Sequence, residues 1–224
     1  IPSVNRNILY MSENRPQQTY KELMSPVEGL KNRLESQVGP IGSIVFDVIR
    51  ESETDELTGL RNRKGLQNEL KERIYAEDSE SHFALVFVDL DGFKAINDTH
   101  GHNAGDNVLS KVGQFFKKSL EKVDDDPDKA SHFMLRREDE AFRLGGDEFG
   151  VFAQLSEAEA TELAQAIRAT LSYPLSLPQK QVKIDVSIGF APIDGDHDLA
   201  EFLRRADTAM YEAKRSKSGL LLWR

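Results

Sequence analysis

Residues 83–91 read FALVFVDLD, and residues 141–153 read AFRLGGDEFGVFA. The first stretch is a compact apolar run of strand length that ends in two aspartates, which predicts a buried strand. The second has two apolar halves on either side of Gly145-Gly146, which predicts a β-hairpin with a glycine turn. These two stretches decide the fold, because every other element has to be arranged around them.

Three carboxylates belong to this pair of elements. Asp89 closes the strand, and Asp147 and Glu148 follow the turn of the hairpin. If the strand and the hairpin are neighbours in one sheet, the three side chains converge at one edge, where unpaired carboxylates repel each other. A divalent cation relieves that repulsion, and oxygen ligands without His or Cys favour Mg²⁺ or Mn²⁺ over zinc. The alternative is a set of scattered surface acids in an acidic protein.

Helices and strands alternate around these stretches. Apolar residues recur at helical spacing over residues 66–74, 108–120, 163–171 and 199–210. Ser156 and Glu159 form a capping box that opens one of these helices. Alternating residues 182–188 predict one half-buried strand. Because one strand pair is a hairpin, the sheet must be mixed, and we predict an α+β fold of ferredoxin-like, palm type with helices flanking the sheet.

The first quarter of the chain has a different character. Ser25-Pro26 opens a helical pattern, and a second apolar stripe follows at Ile41, Ile44, Val45, Val48 and Ile49. The stripe either forms a coiled coil with another copy of the chain or packs on its own domain. We divide the chain into an N-terminal helical segment, residues 1–54, expected to end a longer regulatory region, and a second domain, residues 55–224.

Composition limits the classes of function. The 224 residues include 29 Lys and Arg against 38 Asp and Glu, a formal net charge of −9, and no Cys. The acidity argues against binding to nucleic acid or to an anionic membrane, and the lack of Cys excludes thiol catalysis and Cys-ligated metals. No segment has the ~20 apolar residues of a membrane span. We expect a cytoplasmic location, alone or as the cytoplasmic part of a larger, membrane-bound protein.

Two further patterns suit a nucleotide. Gly92 would let backbone approach a bulky ligand, and Lys94 could meet a phosphate as a point charge. Asn97 and Asp106 together could bind the Watson–Crick edge of guanine, since the carboxylate accepts from N1–H and N2–H₂. The alternatives are a plain turn at the glycine and a helix cap with a turn residue at the other pair.

Together these motifs resemble the diguanylate cyclase family, whose domains are called GGDEF domains. The motifs are DELTGLRNR at 55–63, FVDLDGFKAIND at 87–98, GHNAGD at 101–106, RLGGDEF at 143–149 and ADTAMYEAK at 206–214. Five ordered motifs at compatible spacing are far more specific than one glycine pattern. The resemblance runs from about residue 55 to the C-terminus, and it implies a nucleotidyl cyclase-like fold.

The resemblance implies a reaction and its site residues. Family members condense two GTP into cyclic di-GMP and two pyrophosphates, with two Mg²⁺ or Mn²⁺ ions in each active site. The implied metal ligands are Asp89, the Leu90 carbonyl, Asp147 and Glu148. The implied catalytic set is Glu148, Asp147, Asp89 and Lys94, with Glu148 as the base for the 3′-hydroxyl. The implied substrate-binding set is Gly92, Phe93, Lys94, Asn97, Asp106, Gly145, Gly146 and Lys214.

The resemblance also implies regulation and assembly. Each domain would bind one GTP, so two copies must meet, and we expect a homodimer. Arg136 and Asp139 match the family's R-x-x-D site for cyclic di-GMP, with Arg168 as a second-site arginine, which implies product inhibition; the alternative is a surface ion pair. Two features depart from the family. Residues 121–135 form a longer segment than usual, and Lys217 or Arg215 would replace an arginine near the C-terminus.

Two rival functions stay open. A GGDEF domain can bind GTP or cyclic di-GMP as a receptor without turnover, although such domains usually lose a signature acid or glycine, and residues 145–149 are intact here. The chain could also be a regulatory fragment whose activity belongs to a partner domain.

Overall fold

The computed structural model describes residues 39–74, 83–121, 139–177, 180–193 and 199–223. Its helices are α1 (Pro40–Ser52), α2 (Arg63–Ile74), α3 (Phe93–His100), α4 (His102–Glu121), α5 (Glu157–Leu171) and α6 (Leu199–Ser216). Its strands are β1 (Arg61–Asn62), β2 (Phe83–Asp91), β3 (Glu140–Gly145), β4 (Glu148–Ala153), β5 (Leu175–Leu177), β6 (Lys180–Val182), β7 (Asp185–Ile193) and β8 (Leu220–Leu222). The chain divides into two units, Ile1–Val48 and Ile49–Arg224.

A six-stranded sheet forms the centre of the second unit, in the order β1-β3-β4-β2-β7-β8. The hairpin strands β3 and β4 are antiparallel, and β2 is antiparallel to both β4 and β7. β1 and β8 add parallel strands at the two ends. The mixed sheet with flanking helices confirms the predicted fold class, and it places β2 directly beside the hairpin.

Side chains of β2 alternate between two cores. Val86 and Val88 belong to the core that includes buried residues of α4 and α5, whereas Leu85 and Phe87 belong to the core shared with α2 and α6. Because helices cover both faces, residues 84–90 are all buried. This is why the strand is continuously apolar in sequence rather than alternating.

Helix α6 lies directly on β7. A Cβ placed on Gly189 would collide with the backbone of Met210, so the helix approaches the strand as closely as only glycine allows. Beyond the helix, the Trp223 amide donates to the Phe190 carbonyl of β7 at 2.9 Å. The Arg204 guanidinium of α6 lies 5.5 Å from the centroid of the Trp223 ring. The chain after α6 is therefore bound to both β7 and the helix.

The prediction of a single strand over residues 182–188 is wrong. β6 ends at Val182 and pairs with β5 in a separate two-stranded sheet, and β7 begins at Asp185. The alternation persists because Val182 and Ile184 are both buried, although they lie on either side of the break. The capping box at Ser156 and Glu159 is confirmed.

The apolar stripe of α1 is solvent-exposed. Its residues and exposed fractions are Ile41 65%, Ile44 62%, Val45 42%, Val48 59% and Ile49 38%. The helical pattern that precedes this stripe, from residue 25 onward, lies outside the described residues. Among the helices that are described, none combines the length and the hydropathy needed to cross a membrane.

Candidate active site

Three carboxylates meet where β2 ends and β4 begins. Asp89 is the register partner of Glu148 across the two strands, and the Leu90 amide donates to the Asp147 carbonyl at 3.2 Å. Asp89 is buried, whereas Asp147 and Glu148 are half-buried. We call these three carboxylates the acidic edge; the structure brings together the residues that the sequence predicts to converge.

Burial and neighbouring charge both raise pKa values at the acidic edge. Burial and the charge of Asp89 raise the pKa of Asp147 above its ordinary value. Burial also raises the pKa of Glu148, and the charges of Asp207, Asp89 and Asp147 add to the shift, while Arg63 opposes it. The site therefore carries more negative charge than its own cations neutralise.

Lys214 is the cation that contacts the acidic edge from α6. Its Nζ donates to Asp89 Oδ1 at 2.6 Å, across 125 residues of sequence. Burial lowers the pKa of Lys214, but the hydrogen bond to Asp89 and the charges of Asp147 and Asp91 outweigh it, so the pKa is raised. The resemblance places Lys214 near the triphosphate, and the structure places it at the carboxylates.

Glycines leave open space beside the acidic edge. Gly92, Gly145 and Gly146 have φ of +78°, +143° and +53°, and a Cβ on any of them would meet no atom within 4 Å. Gly92 is the N-cap of α3, and the amides in the first turn of a helix have no partner within the helix. Phe93 is buried and Lys94 is exposed. Open backbone, free amide donors and a nearby cation together suit an anionic ligand.

The two residues predicted to bind guanine lie on adjacent helices. Asn97 is on α3 and the exposed Asp106 is on α4. A Cβ on Gly105 would collide with the Asn97 amide oxygen, so Asn97 packs against the residue that precedes Asp106. The structure thus places Asn97 beside Gly105, one residue along α4 from Asp106.

The donor set of the acidic edge fits Mg²⁺ or Mn²⁺. Its oxygens are the hard donors that these ions prefer, and the charge of Asp89 acts unfavourably on ionised Asp147. Within the described ranges, no three acidic or histidine side chains are arranged as a complete metal-binding group. The chemistry of the residues therefore suits the ion, and the pairing of Asp89 with Lys214 competes with it.

Of the predicted product site, the structure describes Asp139 and Arg168. Arg136 and most of the 121–135 segment lie outside the described residues. Asp139 is buried just before β3. Arg168 on α5 donates to the Ser218 carbonyl at 3.2 Å and lies 3.7 Å from Asp185 Oδ1, at the other end of the sheet from β3. Arg215 and Lys217 are both exposed at the end of α6.

Arg63 is a site residue to which the sequence analysis assigned no role. Its Nε donates to the Leu144 carbonyl at 3.1 Å, and its Nη2 lies 3.6 Å from Glu148 Oε2. Arg63 closes the DELTGLRNR motif, so the motif itself was the available signal. Its contact with a hairpin 81 residues away could not be predicted from local spacing.

Arg143 connects the same motif to the glycine turn. Its guanidinium donates to both carboxylate oxygens of Asp55, at 3.0 and 3.1 Å, and to the Gly146 carbonyl at 2.8 Å. Thr58 donates to Asp55 through its amide at 2.9 Å and its hydroxyl at 2.7 Å. Although burial raises the pKa of Asp55, these bonds lower it overall.

Two further acids, Glu53 and Glu69, share a set of polar contacts with Arg61 and Asn68. We call these four residues the junction network. Arg61 lies 2.7 Å from Glu53 Oε2 and 2.7 Å from Glu69 Oε2. Asn68 donates to Glu53 Oε1 at 2.6 Å. Both carboxylates are buried, and each has a close cationic partner.

Comparison with known proteins connects this geometry to a family. A family model described as "Diguanylate cyclase, GGDEF domain" matches residues 52–126 and 130–219. The bifunctional diguanylate cyclase/cyclic di-GMP phosphodiesterase MucR of Pseudomonas aeruginosa is 34% identical over 195 residues, covering 84% of this chain and 26% of MucR. Diguanylate cyclase DosC of Escherichia coli is 34% identical over 175 residues, covering 76% of this chain and 35% of DosC.

A solved structure supports the same relationship. The coiled coil and GGDEF domain of DgcB from Caulobacter crescentus, in complex with c-di-GMP, matches with a TM-score of 0.65 and 27% identity over 92% of this chain and 97% of that one. The chain spans about a quarter to a third of the length of MucR and DosC. By sequence, fold and the arrangement of its motifs, the chain belongs to the diguanylate cyclase GGDEF family.

Proposed function

We propose that the chain is a diguanylate cyclase, which condenses two GTP into cyclic di-GMP and two pyrophosphates. In each of two steps, the 3′-hydroxyl of one GTP attacks the α-phosphate of the other. The O3′–P bond forms, the bond to the β-phosphate oxygen breaks, and pyrophosphate leaves. The observation that carries the proposal is the acidic edge, with its surplus of negative charge, beside the open glycine turns.

The residues of the acidic edge have separate roles in this proposal. Asp89, Asp147, Glu148 and the Leu90 carbonyl would hold two Mg²⁺ or Mn²⁺ ions. When bound, the ions supply positive charge to the triphosphate and to the leaving pyrophosphate. Glu148 would accept the proton of the 3′-hydroxyl.

Substrate recognition would use the groups around α3. The amides near Gly92 and Phe93 would bind the β- and γ-phosphates, with Lys94 and Lys214 adding charge. Asn97 and Asp106 would bind guanine, since adenine offers no N1–H donor to the Asp106 carboxylate. A chain of net charge −9 needs such local cations to bind a polyanion.

The proposal extends to assembly and inhibition. Since one domain offers one nucleotide site, two copies would meet as a homodimer for catalysis, and the exposed stripe of α1 is the surface that would join them. Arg136, Asp139 and Arg168 would bind cyclic di-GMP as an inhibitor. Arg168 would then have to exchange Asp185 for the nucleotide.

The test is a product assay. The chain, freed of bound cyclic di-GMP with a phosphodiesterase that is then removed, is incubated with GTP, ATP and Mg²⁺ together, and the products are identified by chromatography with mass detection. We expect cyclic di-GMP alone. A mixed dinucleotide would contradict the role of Asp106 but retain the chemistry. If GTP or cyclic di-GMP binds in calorimetry and no product forms, the chain is a receptor and the cyclase proposal is wrong.

A further inference from the structure

Arg63 bridges the two strands of the catalytic hairpin. It begins α2, outside the hairpin, and reaches the Leu144 carbonyl of β3 with Nε at 3.1 Å. Its Nη2 lies 3.6 Å from Glu148 Oε2 on β4. Leu144 stands before the glycine turn and Glu148 stands after it. One side chain from a separate element thus spans the turn that presents the proposed base.

The Glu148 side chain is 36% exposed. It stands beside open space, because Cβ atoms on the two glycines of the turn would meet no atom within 4 Å. The negative charges of Asp89, Asp147 and Asp207 act on the Glu148 carboxylate. Mutual repulsion would drive the carboxylate toward solvent unless a cation opposes it. Arg63 is placed to do so.

We propose that Arg63 is a positioning residue for Glu148, which fixes the carboxylate by holding it and the Leu144 carbonyl with one guanidinium. The proposal rests on the proposed cyclase function, since it assigns Arg63 to the base of that reaction. Arg63 is not among the groups placed at the phosphates or at guanine. Its loss should therefore slow the chemical step more than it weakens the binding of GTP.

Three variants of Arg63 distinguish its contact with the Leu144 carbonyl from its contact with Glu148. R63A removes both, R63K retains the charge without the planar fork, and R63Q retains a neutral donor. K71Q is the matched control, because Lys71 is an exposed cation on the same helix. Steady-state kinetics are measured at saturating Mg²⁺, and thermal unfolding establishes that each variant is folded. If R63A does not fold, R63Q replaces it in the comparison.

We expect R63A to lower kcat by about 10- to 100-fold, as for a misplaced catalytic group, with KM for GTP changed less than about threefold. R63K should recover part of this loss, since it retains the charge that faces Glu148, and K71Q should stay within about twofold of the wild type. A kcat for R63A within twofold of the wild type would overturn the proposal. So would a raised KM with unchanged kcat.

A structural readout separates this inference from the proposed function. Crystals of the wild type and R63A are grown with Mg²⁺ and a GTP analogue that cannot react. We expect an ordered Glu148 carboxylate in the wild type and a displaced one in R63A. An unmoved carboxylate overturns the role of Arg63. If the wild type makes no cyclic di-GMP, the function fails, while the two crystals still decide whether Arg63 positions Glu148.

Discussion

The junction network and the acidic edge both gather carboxylates, but they balance them differently. In the junction network, Glu53 and Glu69 are each 2.7 Å from Arg61. At the acidic edge, Lys214 reaches Asp89 at 2.6 Å, while the pKa values of Asp147 and Glu148 are raised by burial and by neighbouring negative charge. In the junction network each carboxylate lies at hydrogen-bonding distance from Arg61, whereas at the acidic edge only Asp89 has a cation that close among the described residues. We call Asp147 and Glu148 the surplus acids.

The difference is the one expected between structural acids and the acids of the proposed active site. A buried carboxylate with a close arginine fixes the local conformation and offers nothing to a ligand. Carboxylates that repel each other at an open edge cost stability, and such a cost is typical of sites that act on a ligand. The contrast can be tested by neutralising one residue at a time in each region.

The largest expected effect comes from E148Q at the acidic edge. The amide cannot accept the proton of the 3′-hydroxyl, so we expect kcat for cyclic di-GMP to fall by about 10²- to 10⁴-fold. Product formation is measured by chromatography, and circular dichroism verifies the fold. E212Q, which changes an exposed glutamate on α6, is the control. Retained turnover in E148Q would remove Glu148 from the mechanism.

R61M should produce the largest loss of stability. It leaves the buried Glu53 and Glu69 without their cation, which costs about 3 kcal/mol of unfolding free energy. Urea denaturation measures the change. R204M is the matched control, because Arg204 makes a similar pair with Glu201 in an exposed position, and its loss should be much smaller than that of R61M. Equal losses would mean that burial of the junction network is unimportant.

K214Q should have an intermediate effect on activity. The variant loses the charge that lies 2.6 Å from Asp89 and that would meet the triphosphate, so we expect kcat/KM for GTP to fall by about 10- to 100-fold. Kinetics with varied GTP measure this. K183Q, at an exposed lysine before β7, should behave as the wild type. If K214Q has unchanged kcat/KM, the ion pair with Asp89 is only structural.

The smallest expected effects are changes in how the stability of the protein depends on pH. The pKa of Asp147 is raised in the folded state, so its ionised form destabilises the fold. This destabilisation is fully present when the pH is above the folded-state pKa, and it is absent when the pH is below the unfolded-state pKa. D147N should therefore stabilise the protein at pH 7, by no more than about 1 kcal/mol because the side chain is half-exposed. Below about pH 4 the gain should disappear. Thermal unfolding between pH 3.5 and 8 measures it.

D55N should change the stability at pH 7 in the opposite direction to D147N, which completes the comparison. The pKa of Asp55 is lowered in the folded state, so its ionised form stabilises the fold. This stabilisation is fully present when the pH is above the unfolded-state pKa, and it is lost as the pH falls through the folded-state pKa. D55N should therefore destabilise the protein at pH 7 and approach the wild type in acid. If D147N and D55N shift stability in the same direction, the distinction between paired and surplus acids is wrong.

The sequence predicts the parts of the fold that local patterns determine. The apolar run of β2 and the glycine turn of the hairpin are local features, and both are found. β1, β5 and β8 have two or three residues each. Strands this short form by pairing with neighbouring strands, and they are too short to show a periodic pattern in the sequence. Residues 182–188 have the sequence pattern of one strand because burial continues across the break between the two sheets.

The candidate site divides in the same way. Asp147 and Glu148 are adjacent in sequence, and their convergence with Asp89 follows from predicting neighbouring strands. Arg63, by contrast, meets a hairpin 81 residues away. No spacing rule connects residues so distant, because tertiary packing alone sets their separation.

Trp223 gives the molecule an intrinsic optical probe. It is the single tryptophan of the chain, its amide is bonded to β7, and Arg204 of α6 lies over its ring. The same helix carries Lys214. Any shift of α6 against β7 would change the separation of ring and guanidinium, so the emission of Trp223 would report it without any label.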